Sequence, residues 1–222
     1  MNMRGCAAIA TAGPVAAPLF FSVRGVNPEV ALRRLISCGA ILAALSSASP
    51  RPAIAQSIAE KLGACARCHG QDGKPVDRRI PVIWGQQIGY IYIQLRDFKR
   101  GDRKNEIMQP IAASFEKEDM LAIAEYFSKK PWPNLGQPRA PKDVSERALS
   151  AEHSVGCTGC HLDHFQGYGT VPRLAGQSRE YLTKTIADFR TRARGNNPGM
   201  TDLMLATPLD DLAALSEYLA GL

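Results

Sequence analysis

Cys65-Ala66-Arg67-Cys68-His69 decides the fold of this chain, and Cys157-Thr158-Gly159-Cys160-His161 repeats it 92 residues later. Two cysteines separated by two residues and followed at once by histidine form the attachment pattern of a c-type haem. Each thiol adds to one vinyl group of the haem, and the adjacent histidine is then placed to reach the iron. The two copies therefore predict two covalently attached haem c groups, one at each motif.

Three other chemistries also use paired cysteines. Four thiolates in two such pairs could hold a structural zinc ion, one pair could act as a redox-active dithiol, and each pair could form a disulfide. None of these requires a histidine after both pairs, and none predicts the methionines found downstream. Haem attachment is therefore favoured, with zinc as the main alternative.

The N-terminal 55 residues have the features of a targeting segment. Arg33-Arg34 precedes an apolar stretch at residues 35–45, and Ala53-Ile54-Ala55 supplies a small-x-small cleavage site. Residues 1–55 are predicted to be a cleaved secretory signal, because the apolar run is short for an uncleaved anchor. Export agrees with the motifs, since c-type haem is attached outside the cytoplasm, and the predicted location is the periplasm.

The charge of the mature chain is small. The whole sequence carries a formal charge of +6, but without residues 1–55 it keeps 22 basic and 20 acidic side chains, or +2. Such a balance does not indicate a nucleic-acid partner. One basic cluster lies beside Met108, and it predicts either a solvated helix end or a docking face for an acidic partner; its members are Arg96, Lys99, Arg100, Arg103 and Lys104.

Both motifs lie in copies of one longer pattern. Ile80-Pro81-Val82-Ile83-Trp84-Gly85-Gln86 follows the first motif, and Val171-Pro172-Arg173-Leu174-Ala175-Gly176-Gln177 follows the second. A period of about 90 residues is too long for a solenoid repeat and indicates a duplicated domain. Apolar residues recur at helical spacing, so the predicted fold class is all-α. We expect domains at 56–130 and 143–222, joined by a Pro-rich linker at 131–142.

The apolar pattern also places the helices. Helices at about residues 58–64 and 144–153 should precede the motifs, with Asp143 and Glu146 as a capping pair in the second. Gly101 and Gly195 should end the following helices, and Thr207 should cap the last one. Buried helix faces are predicted at Ile91, Leu95 and Phe98, at Leu182, Ile186 and Phe189, at Met120, Ile123, Ala124 and Phe127, and at Leu209, Leu212, Leu215 and Leu219.

Each histidine leaves one axial position of its iron open. A methionine thioether suits haem iron and raises its potential relative to a second imidazole. Met108 and Met200 occupy matching places, in predicted loops before the last helix of each copy, so they are predicted to be the sixth ligands. Met204 is an alternative sixth ligand in the second copy, but the repeat register favours Met200. Met120 has the spacing of a core residue.

The remaining recurrent polar residues have two interpretations. Tyr90 matches Tyr181 and Gln86 matches Gln177. These side chains could hydrogen-bond haem propionates, or they could serve packing and capping. The other histidines are predicted to lie at the surface; they are His153 and His164.

Together these residues resemble the dihaem cytochrome c4 family of class I cytochromes c. The resemblance covers residues 56–222 and includes both haem motifs, the segments 81–86 and 172–177, the methionine loops and residues 123–127. It implies two tandem class I cytochrome c domains, with Met108 and Met200 on the irons and the Pro81 and Pro172 carbonyls orienting the histidines. Trp84 departs from the small residue that the family usually has there.

Six-coordinate irons would leave no open site for a substrate, so the chain is predicted to be an electron carrier rather than an enzyme. The leading hypothesis is electron transfer between periplasmic or membrane respiratory partners, with a quinol-oxidising complex or dehydrogenase as donor and a terminal oxidase as acceptor. Peripheral membrane association is compatible with this role. An alternative is the cytochrome subunit of a periplasmic dehydrogenase such as flavocytochrome c sulfide dehydrogenase. A haem peroxidase would need a five-coordinate iron.

Overall fold

The computed structural model describes residues 57–222, and the predicted targeting segment at 1–55 lies outside the described residues. The described residues belong to one compact unit, Ile54–Leu222. Within them the regular elements are helical, apart from an isolated bridge between Tyr168 and Val171. No helix in this part of the chain is long and apolar enough to cross a membrane. We call residues 57–130 the N-terminal half and residues 143–222 the C-terminal half.

The N-terminal half contains four helices: α1 (Ile58–His69), α2 (Ile88–Arg100), α3 (Met108–Ala113) and α4 (Lys117–Ser128). Helix α1 begins with a capping box, in which the Ser57 hydroxyl accepts from the Glu60 N–H and the Glu60 carboxylate accepts from the Ser57 N–H. It continues through the whole first haem motif and is therefore longer than expected. Helix α4 packs against α1 and α2, so the motif is held on the core of this half.

The C-terminal half repeats this arrangement with one more break. It contains α5 (Lys142–Val155), α6 (Thr158–His161), a 3-10 turn (Asp163–Phe165), α7 (Arg179–Arg190), α8 (Pro198–Ala206) and α9 (Leu209–Ala220). Helix α9 packs against α5 and α7, as α4 packs against α1 and α2. Gly156 separates α5 from α6 in a left-handed conformation, so the second motif stands on its own short turn.

The predicted helix faces are buried, with two exceptions. Most of the named residues lie in hydrophobic clusters of their own half. Ile186 is only partly buried, and Leu209 is exposed. Leu209 is the first residue of α9, where the helix has not yet reached the core. The amphipathic pattern therefore located the core correctly.

Three of the predicted signals at helix ends are wrong: the capping pair of Asp143 and Glu146, the cap at Thr207 and the stop at Gly195. Helix α5 follows Pro141 with no side-chain cap, so Asp143 and Glu146 do not form a capping pair. Thr207 does not cap α9; its hydroxyl donates to the Leu203 carbonyl and closes the end of α8. Gly101 does end α2 in a left-handed conformation.

Helix α7 ends at Arg190, well before Gly195. The Thr191 hydroxyl donates back to the Ala187 carbonyl, and Arg192 adopts a left-handed φ of 62°. This turn takes the chain towards the other half, where Arg194 is buried against Gln94. The contact between the halves thus determines where α7 ends, and Gly195 does not.

The connecting segment, residues 131–141, has neither helix nor strand and lies against the C-terminal half. The Gln137 side chain donates to the carbonyls of Gln177 and Ala220, at 2.9 and 3.0 Å, and accepts from the Arg179 N–H. Arg173 stacks over the Trp132 ring, 4.6 Å from its centroid. These contacts fix the segment in place although it has few backbone donors of its own.

Candidate haem sites

The two motif histidines have the same environment. His69 Nδ1 lies 2.8 Å from the Pro81 carbonyl oxygen, and His161 Nδ1 lies 2.9 Å from that of Pro172. A carbonyl only accepts, so each Nδ1 carries the proton and each Nε2 has a free lone pair. Burial lowers the pKa of both imidazoles below the usual 6.5, against an opposing effect of the carbonyl hydrogen bond. Both rings are thus neutral at pH 7 and able to bind a metal through Nε2.

The four motif cysteines form no disulfide with one another. Cys65 and Cys157 are half-buried and pack against the core of their own halves, whereas Cys68 and Cys160 are exposed. Burial raises the pKa of the Cys65 thiol to about 11 and also raises that of Cys157. Within residues 57–222 no group of three or more His, Cys, Asp or Glu side chains could hold a metal ion. The described structure therefore forms neither the zinc site nor the disulfides considered above.

Met108 and Met200 occupy equivalent places, although not in loops as expected. Met108 is the first residue of α3, and Met200 lies in the first turn of α8. In each case an asparagine three residues earlier accepts from the methionine N–H, Asn105 at 2.9 Å and Asn197 at 3.1 Å. Both methionines are half-buried and pack against the core of their own half. The asparagine caps thus give each half the same short methionine turn.

The other two methionines have core environments. Met204 is buried in the cluster formed by α5, α7 and α9, and its counterpart in the repeat is Ala112, which is fully buried. Met120 is likewise buried in the N-terminal core, as its helical spacing predicted. Met204 therefore occupies a packing position in the repeat.

The remaining histidines, His153 and His164, are both exposed, which confirms the prediction that they lie at the surface. His164 follows the second motif and has a left-handed φ of 58°. Neither side chain is packed in the core beside His161.

Gln86 and Gln177 form a reciprocal pair of contacts between the halves. Gln177 Oε1 accepts from the Val82 N–H at 2.9 Å, and its Nε2 donates to the Val82 carbonyl at 3.0 Å. Gln86 does the same to Arg173, at 2.8 and 3.0 Å. Both glutamines are buried, at 4% and 3% exposure. Their amides therefore bind the opposite half's backbone, and the packing interpretation describes them better than propionate binding.

Two arginines meet between the halves in a second reciprocal contact. Arg103 donates to the Tyr181 hydroxyl and Arg194 donates to the Tyr90 hydroxyl, both at 3.1 Å. Gln94 Oε1 accepts from both guanidinium groups, at 2.8 and 2.9 Å. Sequence analysis identified the recurrent tyrosines but not the arginines that bind them. Arg103 and Arg194 are 91 residues apart, as Tyr90 and Tyr181 are, and this shared spacing was the available signal.

No carboxylate pairs with either of these arginines among the described residues. Burial alone would raise the pKa of Tyr181, but the positive charges of Arg103 and Arg194 lower it below its usual value. Two unpaired cations at a buried interface suit carboxylate groups, and each haem carries two propionates. The histidines, thiols, methionine turns and arginines thus fit haem c in both halves.

The basic cluster beside Met108 is divided in the structure. Arg103 is turned into the interface, Arg96 pairs with Asp97, and Lys99 pairs with Glu116. Of the five predicted members, only Arg100 and Lys104 are exposed without an ion pair among the described residues. The cluster is therefore not a continuous docking face.

Comparison with known proteins agrees with this geometry. No protein-family profile matches the chain. A cytochrome c4 of Thiocapsa roseopersicina is 36% identical over 169 residues, which are 72% of this chain and 88% of that protein. The chain belongs to the cytochrome c4 family.

Two further proteins extend the comparison to function and structure. A thiosulfate dehydrogenase electron acceptor of Stutzerimonas stutzeri is 37% identical over 169 residues, covering 71% of this chain and 78% of that protein. The crystal structure of reduced cytochrome c4 from Pseudomonas stutzeri has a TM-score of 0.64 at 26% identity, covering 76% of this chain and 100% of that one.

Family membership confirms the predicted fold, cofactors and role. Like other cytochromes c4, the protein has two tandem class I cytochrome c domains and carries two covalently attached haem c groups. It is an electron-transfer protein rather than an enzyme, and it works with redox partners.

Proposed function

We propose that Cys65, Cys68, His69 and Met108 hold one haem, and that Cys157, Cys160, His161 and Met200 hold the other. The two haem domains would then correspond to residues 56–130 and 143–222, joined by the linker at 131–142. On this proposal residues 1–55 are removed on export and the mature chain works in the periplasm.

One observation carries the ligand assignment. Both halves combine a neutral histidine held by a proline carbonyl with a half-buried methionine held by an asparagine cap. When bound, haem c supplies a one-electron couple at its iron. The chain's own residues hold the imidazole Nδ1 protonated, direct Nε2 away from the carbonyl, and supply a soft thioether from a second element. Such a site accepts and releases electrons without binding a substrate.

We further propose that the electron donor is an exported dehydrogenase and that the acceptor is a terminal oxidase. The similarity to a thiosulfate dehydrogenase electron acceptor favours this donor class over a quinol-oxidising complex. Rapid mixing of the oxidised protein with a thiosulfate dehydrogenase and thiosulfate should reduce both haems within the enzyme's turnover time. Reduction that requires a quinol-oxidising complex instead would contradict the proposed donor.

Methionine substitutions test the ligand assignment. Met108→Ala and Met200→Ala should each abolish the methionine-to-iron charge-transfer band of one haem, lower the potential of that haem, and leave the other unchanged. Met120→Ala and Met204→Ala are matched controls, because these residues occupy core positions. Loss of the band in Met204→Ala with its retention in Met200→Ala would reverse the assignment in the C-terminal half.

A further inference from the structure

The reciprocal contacts of Gln86 and Gln177 involve particular peptide groups. The Pro81 carbonyl and the Val82 N–H belong to one peptide unit, and so do the Pro172 carbonyl and the Arg173 N–H. The oxygen of each unit accepts from a motif histidine, and its N–H donates to a glutamine of the opposite half. Each histidine is thus connected through one peptide group to a side chain of the other half.

We propose that Gln177 tunes the reduction potential of the haem held by His69, and that Gln86 tunes that of the haem held by His161. Each glutamine is a positioning residue that acts across the boundary between the halves. The inference rests on the ligand assignment proposed above, and its subject is the control of those sites by the opposite half.

The physical basis is the polarisation of a peptide group. The peptide is planar and its nitrogen and oxygen are coupled by resonance, so donation by its N–H increases the negative charge on its oxygen. Hydrogen bonds in such chains strengthen one another, more so at low local dielectric. Val82 and Gln177 are both buried, at 1% and 3% exposure, so solvent does not weaken this chain.

The effect on the iron has a definite sign. A more negative Pro81 oxygen draws the Nδ1 proton of His69 more strongly, and the imidazole becomes a stronger electron donor. A stronger donor stabilises ferric iron relative to ferrous iron, so the glutamine contact holds the potential down. Removal of the amide oxygen should therefore raise the potential of the haem in the opposite half.

The contacts of Gln86 and Gln177 do more than hold the two halves together. Gln87 also crosses the boundary, and its Nε2 donates to the carbonyls of Gln166 and Gly167 at 3.0 and 3.2 Å. Neither carbonyl accepts from a motif histidine. Gln87 thus has a comparable structural role without the connection to the imidazole, which makes it a matched control.

The test uses the complete dihaem protein with single substitutions. In Gln177→Met, the equilibrium constant for reduction of the His69 haem should rise about threefold to tenfold, tenfold being 59 mV for one electron. The His161 haem should not change. Gln86→Met should give the converse result, and Gln87→Met should shift neither. NMR redox titration follows each haem through its own shifted methyl signals.

A second measurement separates tuning from loss of structure. The Nδ1 proton of His69 should move upfield in Gln177→Met, because its hydrogen bond is weaker, while that of His161 stays in place. Gln177→Asn shortens the side chain but keeps its polarity, and it should give a smaller change of the same sign. It serves as the test if the Met variant does not fold.

Failure of this inference can be told apart from failure of the ligand assignment. If both charge-transfer bands persist and neither potential moves, the assignment stands and the tuning is overturned. Equal shifts of both haems, or an equal shift in Gln87→Met, would show a general effect of the interface and would also overturn it. If His69 or His161 showed no paramagnetic shift in the native protein, the assignment itself would fail.

Discussion

Gly167→Ala should damage the second haem site selectively. Gly167 has a φ of 67°, and its N–H donates to the His161 carbonyl at 2.8 Å. A Cβ placed there would lie 2.4 Å from the Pro172 carbonyl carbon and 2.5 Å from its oxygen. That oxygen is the acceptor for His161 Nδ1, so an added methyl group must displace the group that orients the histidine.

The cost follows from three contributions. A left-handed conformation costs an alanine about 1–2 kcal/mol. Overpacking against backbone costs about 1–3 kcal/mol, and the lost hydrogen bond about 0.5–1.5 kcal/mol. Gly167→Ala should therefore lower the free energy of unfolding by about 2.5–6.5 kcal/mol.

Gly169→Ala supplies the control in the same loop. Gly169 has a similar φ of 61°, but no atom lies within 4 Å of the place that an added methyl group would occupy. Only the conformational cost of about 1–2 kcal/mol remains. Guanidinium titration followed by circular dichroism measures both costs, and a redox titration should show the second haem potential raised only in Gly167→Ala. Equal costs in the two variants, with both potentials unchanged, would refute the reasoning.

Three other variants test the stability of the halves. Lys61→Met removes the 2.6 Å ion pair with Asp119 and should cost about 1–3 kcal/mol at pH 7. The Lys61 hydrogen bond lowers the pKa of Asp119, so this stability is present above pH 3.8 and is lost as pH falls through the lower folded value; a cost that persisted in acid would contradict this. Cys157→Ala with Cys160→Ala should leave one haem by mass spectrometry and an unstable C-terminal half, whereas two haems would refute the duplication. Phe127→Ala should cost about 3–5 kcal/mol in thermal or guanidinium unfolding, because Phe127 is fully buried, and a cost below about 1 kcal/mol would be inconsistent with that burial.

Short-range sequence patterns predicted most of the fold. The spacing of Ile91, Leu95 and Phe98 identifies a buried helix face because three residues on one helix report their common environment. The haem motifs are similarly local, and the repeat register placed Met108 and Met200 at equivalent positions. These predictions needed no knowledge of which elements touch.

The helix ends and the interface could not be obtained in the same way. Gly195 has a strong local signal, yet α7 ends earlier because Arg194 is drawn to Gln94, a residue 100 positions away. The glutamine contacts likewise join residues 87 and 95 positions apart. A single sequence shows which residues recur in the two halves, but not which residue each one contacts. The role of these glutamines was therefore visible only in the contacts between the halves.

Gln94 shows that the two halves are no longer interchangeable modules. Its one amide oxygen serves Arg103, Arg194 and Asn196, and the matching position in the other half is Thr185. A chain built from two C-terminal halves would give both arginines a threonine hydroxyl at this place and no amide oxygen. The two halves of this duplicated chain are therefore matched to each other. Recombination that exchanges or doubles one half would lose the shared Gln94 acceptor even if both haem motifs survived.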